Sequence, residues 1–215
     1  MRSFQLASTC EGYRAAARNQ GIRERPNGLF PPADPLLTAL AAAPKTFPFE
    51  KLVATADGPY LAPPAGGWAT GNSAAASGLD LRLFYMEPFK GEDHGSVFGA
   101  VRFGDSAAIA QECHLNVHGG AIMSALDEAA SEMGKCDFAP VLGTVDASFR
   151  MHKAVPVHTS LRVECLITSK RAVRCWVDGR LLSADGETQY ASCTIQLVNM
   201  MTWVKAEQEI AMEEA

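Results

Sequence analysis

The sequence predicts an α+β fold in which an antiparallel β-sheet wraps around one long central helix. Three observations predict it: alternating apolar residues over 79–103, helical periodicity from Gly119 to Lys135, and a return to alternation that lasts to Asn199. Alternation is the pattern of half-buried strands, whereas apolar residues three and four positions apart form one face of a helix. A helix with one apolar face must cover that face, and the sheet is the available partner.

Two strands are predicted before the helix, over 79–86 and 97–103, because apolar residues or glycine recur there at every second position. The apolar face of the helix is formed by Ala121, Ile122, Ala125, Leu126, Ala129, Ala130 and Met133. Alternation then predicts four further strands, joined in part by turns at 169–171 and 184–187. These strands are Thr144–His152, Leu161–Ile167, Val173–Asp178 and Ala191–Leu197.

Residues 1–78 differ from the rest of the chain, because their nine prolines interrupt regular elements. One short helix is expected over Pro35–Ala43, with Asp34 as its N-cap. The remainder is expected to be an irregular arm that ends in a linker over Ala62–Gly78. The predicted organisation is therefore an arm of residues 1–78, a domain of residues 79–200, and a polar tail of residues 201–215 that is either a short helix or disordered.

Length and composition limit the classes to which this protein can belong. The 215 residues leave room for one ordinary domain and an extension. A net charge of -5 argues against a nucleic-acid partner, which requires clustered Lys and Arg. No apolar stretch in the sequence approaches the roughly 20 residues that a membrane-spanning helix requires.

Neither a disulfide framework nor a metal site is expected. The six cysteines include no CxxC pair, and Cys165, Cys175 and Cys193 fall on the apolar sides of strands. This is typical of buried free thiols in a reducing compartment. His114 and His118 are four residues apart, but no third ligand follows at a recognised spacing, so no metal and no cofactor are expected.

The compartment stays open between the cytoplasm and an organelle, either mitochondrion or plastid. Arginines among scattered Ser and Ala are typical of a transit peptide, whereas Glu11 and Glu24 are not, because such peptides contain few acidic residues. The arginines in question are Arg2, Arg14, Arg18, Arg23 and Arg25.

The residues most suited to chemistry lie at the start of the long helix, in the run His118-Gly119-Gly120. The first amides of a helix lack intrahelical partners, and two glycines let a ligand approach this backbone closely. A carbonyl bound there would have its developing oxyanion stabilised, and loss of one such donor costs roughly 100- to 1000-fold in rate. Asp127 follows about two turns later, where periodicity alone predicts an exposed polar face shared with Ser124.

The run from His118 to Asp127 resembles the signature of hotdog-fold acyl-CoA thioesterases. It is most similar to the thioesterase superfamily member 4 group and to the phenylacetate-pathway thioesterases, and the resemblance covers residues 79–200. It implies a hotdog fold, hydrolysis of acyl-CoA to free acid and CoA, and a homodimer or dimer of dimers. It also implies that helices pair across the dimer, so that Asp127 of one subunit faces the glycine turn of the other.

The resemblance also implies the roles of individual residues. Asp127 serves as nucleophile or general base, without a Ser-His pair, because thiolate is a good leaving group. Gly119 and Gly120 form the oxyanion hole, and His118 either orients the glycine turn or helps to polarise the carbonyl. Thr144 matches a hydroxyl near the attacking water, and alternation predicts that it lies on the polar face of its strand.

Substrate-binding residues are less well defined. Many relatives carry an asparagine upstream of the glycine turn, and in this sequence more than one residue can be aligned with that asparagine. Asn116 and Glu112 are the candidates for that position, and Ser124 shares the polar helix face with Asp127. A coenzyme A phosphate requires a basic group, and the candidates in the strands or turns are Arg150, Lys153, Lys170 and Arg171.

Two other functions stay open. A hotdog hydratase or dehydratase resembles a pattern of Asp followed by His five residues later, and the nearest pair here, Asp146 and His152, is one residue too long. A non-catalytic hotdog protein, acting as an acyl-binding protein or as a subunit of a larger assembly, is favoured by the Pro-rich arm, since such segments often dock onto partners. The presence of Asp127 counts against that second function.

Overall fold

The computed structural model describes residues 9–18, 28–49, 53–55, 58–62, 78–111 and 114–202. Its helices are α1 (Cys10–Arg18), α2 (Pro35–Ala41) and α3 (Gly119–Asp137), with a 3₁₀ turn at Asp105–Ala107. The six predicted strands and the long helix occur in the predicted order, but five strands that were not predicted also precede the helix. The strands are β1 (Thr46–Phe49), β2 (Val53–Thr55), β3 (Gly58–Ala62), β4 (Leu79–Met86), β5 (Ser96–Phe103), β6 (Ala108–Gln111), β7 (His114–Val117), β8 (Leu142–Met151), β9 (Ser160–Arg171), β10 (Arg174–Leu182) and β11 (Gln189–Asn199).

The main sheet is antiparallel and wraps around α3. Within the described ranges, seven strands form it in the order β1-β4-β5-β9-β10-β11-β8, while β2 with β3 and β6 with β7 make two smaller hairpins. α3 packs across the inner face, against β4, β5 and β8 to β11. This is the hotdog architecture, and the predicted α+β fold is confirmed.

Apolar side chains fill the space between α3 and the inner face of the sheet. Leu126 and Met133 of α3 are fully buried. Cys165, Cys175 and Cys193 are buried on the facing strands without a disulfide, as predicted. Burial raises the pKa of Cys175 and of Cys193 to about 12, which keeps both thiols protonated and unreactive at neutral pH.

A second, smaller apolar core lies on the outer face of the sheet, beneath α2. Leu36 and Leu40 of α2 pack on Phe84 and Phe98, which are therefore buried. The two phenylalanine rings stack with their centroids 5.9 Å apart. The N-terminal arm therefore packs on part of the outer face of the sheet.

Two buried carboxylates fix this part of the arm to the sheet. Asp34 caps α2 as predicted, because it accepts a hydrogen bond from the Leu37 amide at 3.1 Å. Asp34 also accepts from the Ser160 hydroxyl of β9 at 2.6 Å. Asp80 of β4 accepts from the Leu29 amide at 2.9 Å, so both anchors join the arm to separate strands.

Helix α1 lies against the second half of α3. Tyr13 is fully buried, and its hydroxyl donates to Glu132, whose carboxylate also pairs with Lys135 at 2.6 Å. Arg14 pairs with Asp137 at 2.8 Å. The prediction that the arm is irregular apart from one helix was wrong, because a short helix such as α1 draws its stability from packing on α3.

Several boundaries also differ from the prediction. β1 joins the sheet edge beside β4 although it contains Pro48, because an edge strand tolerates a residue without an amide hydrogen. β9 continues to Arg171, and the turn falls at Ala172, whose φ is 48°, so Val173 is a turn residue and not the start of a strand. Hairpin β6–β7 was not predicted, and most of the predicted linker and tail lies outside the described residues.

Candidate active site

The start of α3 is capped by a histidine. His118 is the N-cap residue, and its Nδ1 accepts a hydrogen bond from the Gly120 amide at 3.0 Å. Since Nδ1 is the acceptor, a neutral His118 carries its hydrogen on Nε2. The His118 carbonyl accepts from the Ala121 amide at 2.9 Å, which starts the helix. These are the contacts that an orienting role for His118 requires.

The two glycine amides of this turn are not equivalent. The Gly120 amide donates to His118, so the prediction that both amides lack a partner is wrong for Gly120. Gly119 precedes this capping bond, and a side chain added there would meet no atom within 4 Å. Gly119 therefore borders open space on the side where a side chain would lie, whereas the Gly120 amide is already a donor to the cap.

Asp127 and Thr144 are in direct contact. Asp127 is half-buried in the middle of α3, and the Thr144 hydroxyl of β8 donates to its Oδ1 at 2.9 Å. Helical periodicity predicted an exposed carboxylate, and the neighbouring strand accounts for the difference. The structure thus joins two of the sequence-derived candidates into one unit.

A β-bulge turns Thr144 towards the helix. In the pairing of β8 with β11, Ala147 lies opposite Ile195 and Thr144 lies opposite Leu197, with a register shift that makes Val145 the extra residue. Opposite residues share a face of the sheet, and Leu197 is fully buried under α3. The predicted face of Thr144 was wrong, because the extra residue shifts the alternation by one, but Thr144 is exposed, as expected of a polar strand residue.

Two candidate substrate-binding residues lie near the glycine turn. The Ser124 hydroxyl donates to the Gly120 carbonyl at 2.8 Å, so its hydrogen is used within the helix. Asn116 is half-buried on β7, two residues before the cap, and its backbone bridges to Pro156. Glu112 lies outside the described residues.

Arg150 lies on the other side of the sheet. It is exposed on β8 opposite Ser192, and it lines a groove of about 680 Å³ on the outer face together with Asp178. The sheet therefore separates Arg150 from Asp127 and Thr144. Within one protomer, the structure does not bring this predicted substrate-binding arginine to the carboxylate.

The open edge of the sheet runs beside this site. In the part of the chain that the structure describes, β8 pairs on one side alone, and its Val145 and Met151 are 42% and 43% exposed. Near the start of α3, the apolar side chains of Ile109, Leu115 and Met123 are exposed as well. Long apolar edges are normally paired or covered, so these residues mark an interaction surface.

The prediction from sequence missed this surface, because hairpin β6–β7 was not recognised. The available signal was Ile109 and Leu115, two large apolar residues in a segment without clear periodicity. Among the described side chains, no group of three His, Cys, Asp or Glu residues could hold a metal ion. The described helices also include none that is long and apolar enough to cross a membrane.

A family model named thioesterase superfamily matches residues 114–189. The matched segment contains the capped turn, Asp127 and Thr144. The match covers 76 of the 215 residues, and it makes this part of the hotdog domain similar to the thioesterase superfamily. No curated protein matches the sequence.

Solved structures are similar to this chain at low sequence identity. A crystal structure described as a thioesterase superfamily protein has a TM-score of 0.51 at 20% identity, covering 62% of this chain and 60% of that chain. A mutant hypothetical thioesterase from Streptococcus pneumoniae has a TM-score of 0.45 at 14% identity, with 57% and 89% covered. The E. coli PaaI protein from the phenylacetic acid degradation operon has a TM-score of 0.46 at 12% identity, with 59% and 86% covered. The chain therefore spans less than two thirds of the first of these structures.

Proposed function

We propose that this protein hydrolyses an acyl-CoA thioester to a free acid and CoA. The observation that carries the proposal is the hydrogen bond from Thr144 to Asp127, which holds a half-buried carboxylate beside an open sheet edge. The superfamily match supports the class of reaction, thioester hydrolysis. The capped turn at the start of the same helix supports an oxyanion site.

In the proposed reaction, Asp127 either attacks the thioester carbon to form an anhydride that water then hydrolyses, or takes a proton from a water molecule that attacks this carbon. Thr144 fixes the orientation of this carboxylate. The thioester oxygen accepts a hydrogen bond from the Gly119 amide, where the helix dipole favours developing negative charge. His118 is a positioning residue that shapes the turn, and CoA leaves as its thiolate.

The proposed site is completed by a second copy of the chain. Gly119 and Asp127 lie eight residues apart on one helix, which corresponds to roughly 12 Å at 1.5 Å per residue. One thioester group cannot contact both within a protomer. Pairing of two β8 edges about a two-fold axis covers Val145 and Met151 and lets the donor amide of one subunit approach Asp127 of the other.

Hydrolysis assays with acyl-CoA and acyl-carrier-protein substrates of varied chain length test the proposed activity, with the released thiol as the readout. Turnover of at least one acyl-CoA supports the hydrolase. Saturable acyl-CoA binding without turnover of any substrate favours the alternative, a non-catalytic acyl-binding or structural hotdog protein, and sinks the enzyme.

A mixing experiment tests whether two subunits share each site. Gly119→Pro removes the amide hydrogen but suits the first helical position, and His118 has the extended backbone (φ -63°, ψ 136°) that precedes proline. Gly119→Pro and Asp127→Asn are each inactive alone. After subunit exchange, an equimolar mixture recovers roughly a quarter of wild-type activity, since half of the dimers are mixed and each holds one intact site. A mixture that stays inactive contradicts the shared site.

A further inference from the structure

Met123 is the most exposed residue of α3. In the described part of the chain, which includes the whole of α3, every other position of this helix is buried or half-buried, whereas Met123 is 41% exposed. Single apolar residues on a protein surface are common, so exposure alone gives Met123 no role. Its position relative to the proposed site does.

Met123 lies midway between the two groups of the proposed site. Gly119, Met123 and Asp127 follow one another at intervals of four residues on α3. Residues four apart are neighbours on one side of a helix, so Met123 is one turn, roughly 6 Å along the axis, from each of the other two. The open space at Gly119 and the half-buried Asp127 therefore lie on either side of it.

A two-fold axis turns this midway position into a self-contact. The inference rests on the proposed function, in which Gly119 of one subunit approaches Asp127 of the other. Because a two-fold axis relates the subunits, the reverse pair forms at the same time, and the two α3 helices run antiparallel. Position 123 is midway between 119 and 127, so it falls opposite position 123 of the second copy.

Strand β8 runs antiparallel to α3. The Thr144 hydroxyl contacts Asp127. Leu142 comes earlier in β8, and it lies where a side chain added at Gly134 would be, which is later in α3. Moving forward along β8 therefore means moving back along α3, towards Gly119.

The open edge of the sheet agrees with an axis at Met123. Met123 is one helical turn before Asp127, which corresponds to about two residues of β8 beyond Thr144, because a strand rises about 3.3 Å per residue. That level is Asp146, near the middle of β8 (Leu142–Met151). Two β8 edges paired about the same axis therefore overlap along most of their length.

We propose that Met123 lies on the two-fold axis of a dimer, where it contacts the partner's Met123 and separates the two thioester sites. Each site then has Gly119 from one subunit, Asp127 from the other and both methionines about one helical turn away. The two methionines form an apolar, flexible wall on the side of the thioester that faces the axis. This wall limits the space for the acyl group in both sites.

Thiol cross-linking tests the self-contact independently of hydrolysis. The full chain with Met123→Cys, treated with a short bismaleimide, is expected to give a covalent dimer as the main product on a denaturing gel. Wild type measures the reaction of the native cysteines. A melting temperature near that of wild type shows that the variant is folded. A variant that cross-links no more than wild type overturns the proposal.

Ser131→Cys is the matched control for this cross-link. Ser131 is half-buried on α3 and also one turn from Asp127, but on the side away from Met123. Its two copies in the proposed dimer are roughly 24 Å apart along the helices, at 1.5 Å per residue, which is beyond the linker. Cross-linking of Ser131→Cys equal to that of Met123→Cys overturns the axis.

Chain-length preference tests the wall. Met123→Ala opens space in both sites, so the ratio of kcat/KM for decanoyl-CoA to that for butyryl-CoA is expected to rise about tenfold, in keeping with hydrocarbon contacts in a substrate pocket. Ser131→Ala leaves this ratio unchanged. An unchanged ratio in Met123→Ala overturns the wall.

The two experiments also separate this inference from the proposed function. Cross-linking of Met123→Cys without turnover of any acyl-CoA by wild type retains the paired helices and removes the hydrolase. Turnover by wild type without the cross-link in Met123→Cys retains the hydrolase and overturns the axis at Met123.

Discussion

The two ends of α3 are built in opposite ways. At the C-terminal end, Tyr13 and Arg14 of α1 meet Glu132 and Asp137, so polar groups there find partners within the chain. At the N-terminal end, Gly119 borders open space, and apolar side chains of the adjoining hairpin are exposed. One helix thus joins a closed end and an open end.

The closed end shows what buried charge requires. Asp137 accepts hydrogen bonds from Arg14, from the Tyr85 hydroxyl at 2.8 Å and from the Gly95 amide at 2.8 Å. Burial, together with the hydrogen bond to Asp137, raises the pKa of Tyr85 well above its usual value, so the hydroxyl remains a donor. Charges removed from water are costly unless they are paired in this way. The polar groups at the closed end are thus paired within the chain, whereas the open end is the one at which the proposed function places the ligand.

The largest effect is expected at the open end, from Asp127→Asn. The amide keeps the contact with Thr144 but is a poor base and nucleophile, so kcat for the best acyl-CoA substrate falls by about 10² to 10⁴. The melting temperature changes little. Asp146→Asn, at an exposed position of β8, is the matched control and leaves kcat intact. Unchanged turnover in Asp127→Asn removes the carboxylate from the mechanism.

The elements that alternation and helical periodicity predicted are those with one face on the core. β4, β5, β8 to β11 and α3 belong to this group, because their apolar spacing is a direct consequence of burial on one side. The capped turn and Asp127 could be predicted as site residues from the sequence, because a His-Gly-Gly run followed by an aspartate on the same helix is an unusual combination. The same patterns could not reveal the outer-face core, since Phe84 and Phe98 are buried by a helix that lies far away in sequence.

Thr144 and Tyr13 show why the remainder could not be predicted. Val145 is an ordinary strand residue, so nothing local marks it as the bulge that turns Thr144 inwards. Tyr13 is separated by 119 positions from its partner Glu132, and no local pattern connects them. Arg150 was predicted to bind the substrate near Asp127, but it lies on the opposite face of the sheet. Alternation shows which residues share a face, and it does not show which face borders the site.

The next largest effect is expected at the closed end, from Glu132→Leu. This change leaves Lys135, whose side chain is 12% exposed, without its carboxylate, and the free energy of unfolding falls by roughly 3 to 5 kcal/mol. Urea unfolding measures the loss. The double variant Glu132→Leu/Lys135→Met recovers part of the stability, because no unpaired charge remains, although the Tyr13 hydroxyl still lacks its Glu132 acceptor. An equal loss in both variants would mean that the cost comes from the lost Tyr13–Glu132 hydrogen bond and not from the unpaired Lys135.

A smaller effect is expected from Thr144→Val, which keeps the shape of the side chain but removes the donor to Asp127. The carboxylate loses its orientation, and kcat falls roughly tenfold, in keeping with one lost hydrogen bond to a charged group. KM stays near its wild-type value, because the hydroxyl positions the base and not the substrate. Thr144→Ser retains the donor and most of the activity. A pure KM effect would instead assign Thr144 to substrate binding.

The smallest effect is expected at His118, where stability and activity can be separated. His118→Ala removes the cap and lowers the free energy of unfolding by about 1 kcal/mol, while His118→Asn restores it, because asparagine is a strong N-cap. If His118 acts only by organising the turn, His118→Asn restores kcat together with stability. A variant that is stable but slow would show that the Nε2 hydrogen itself contacts the thioester, and His118 would then be a catalytic residue at the open end.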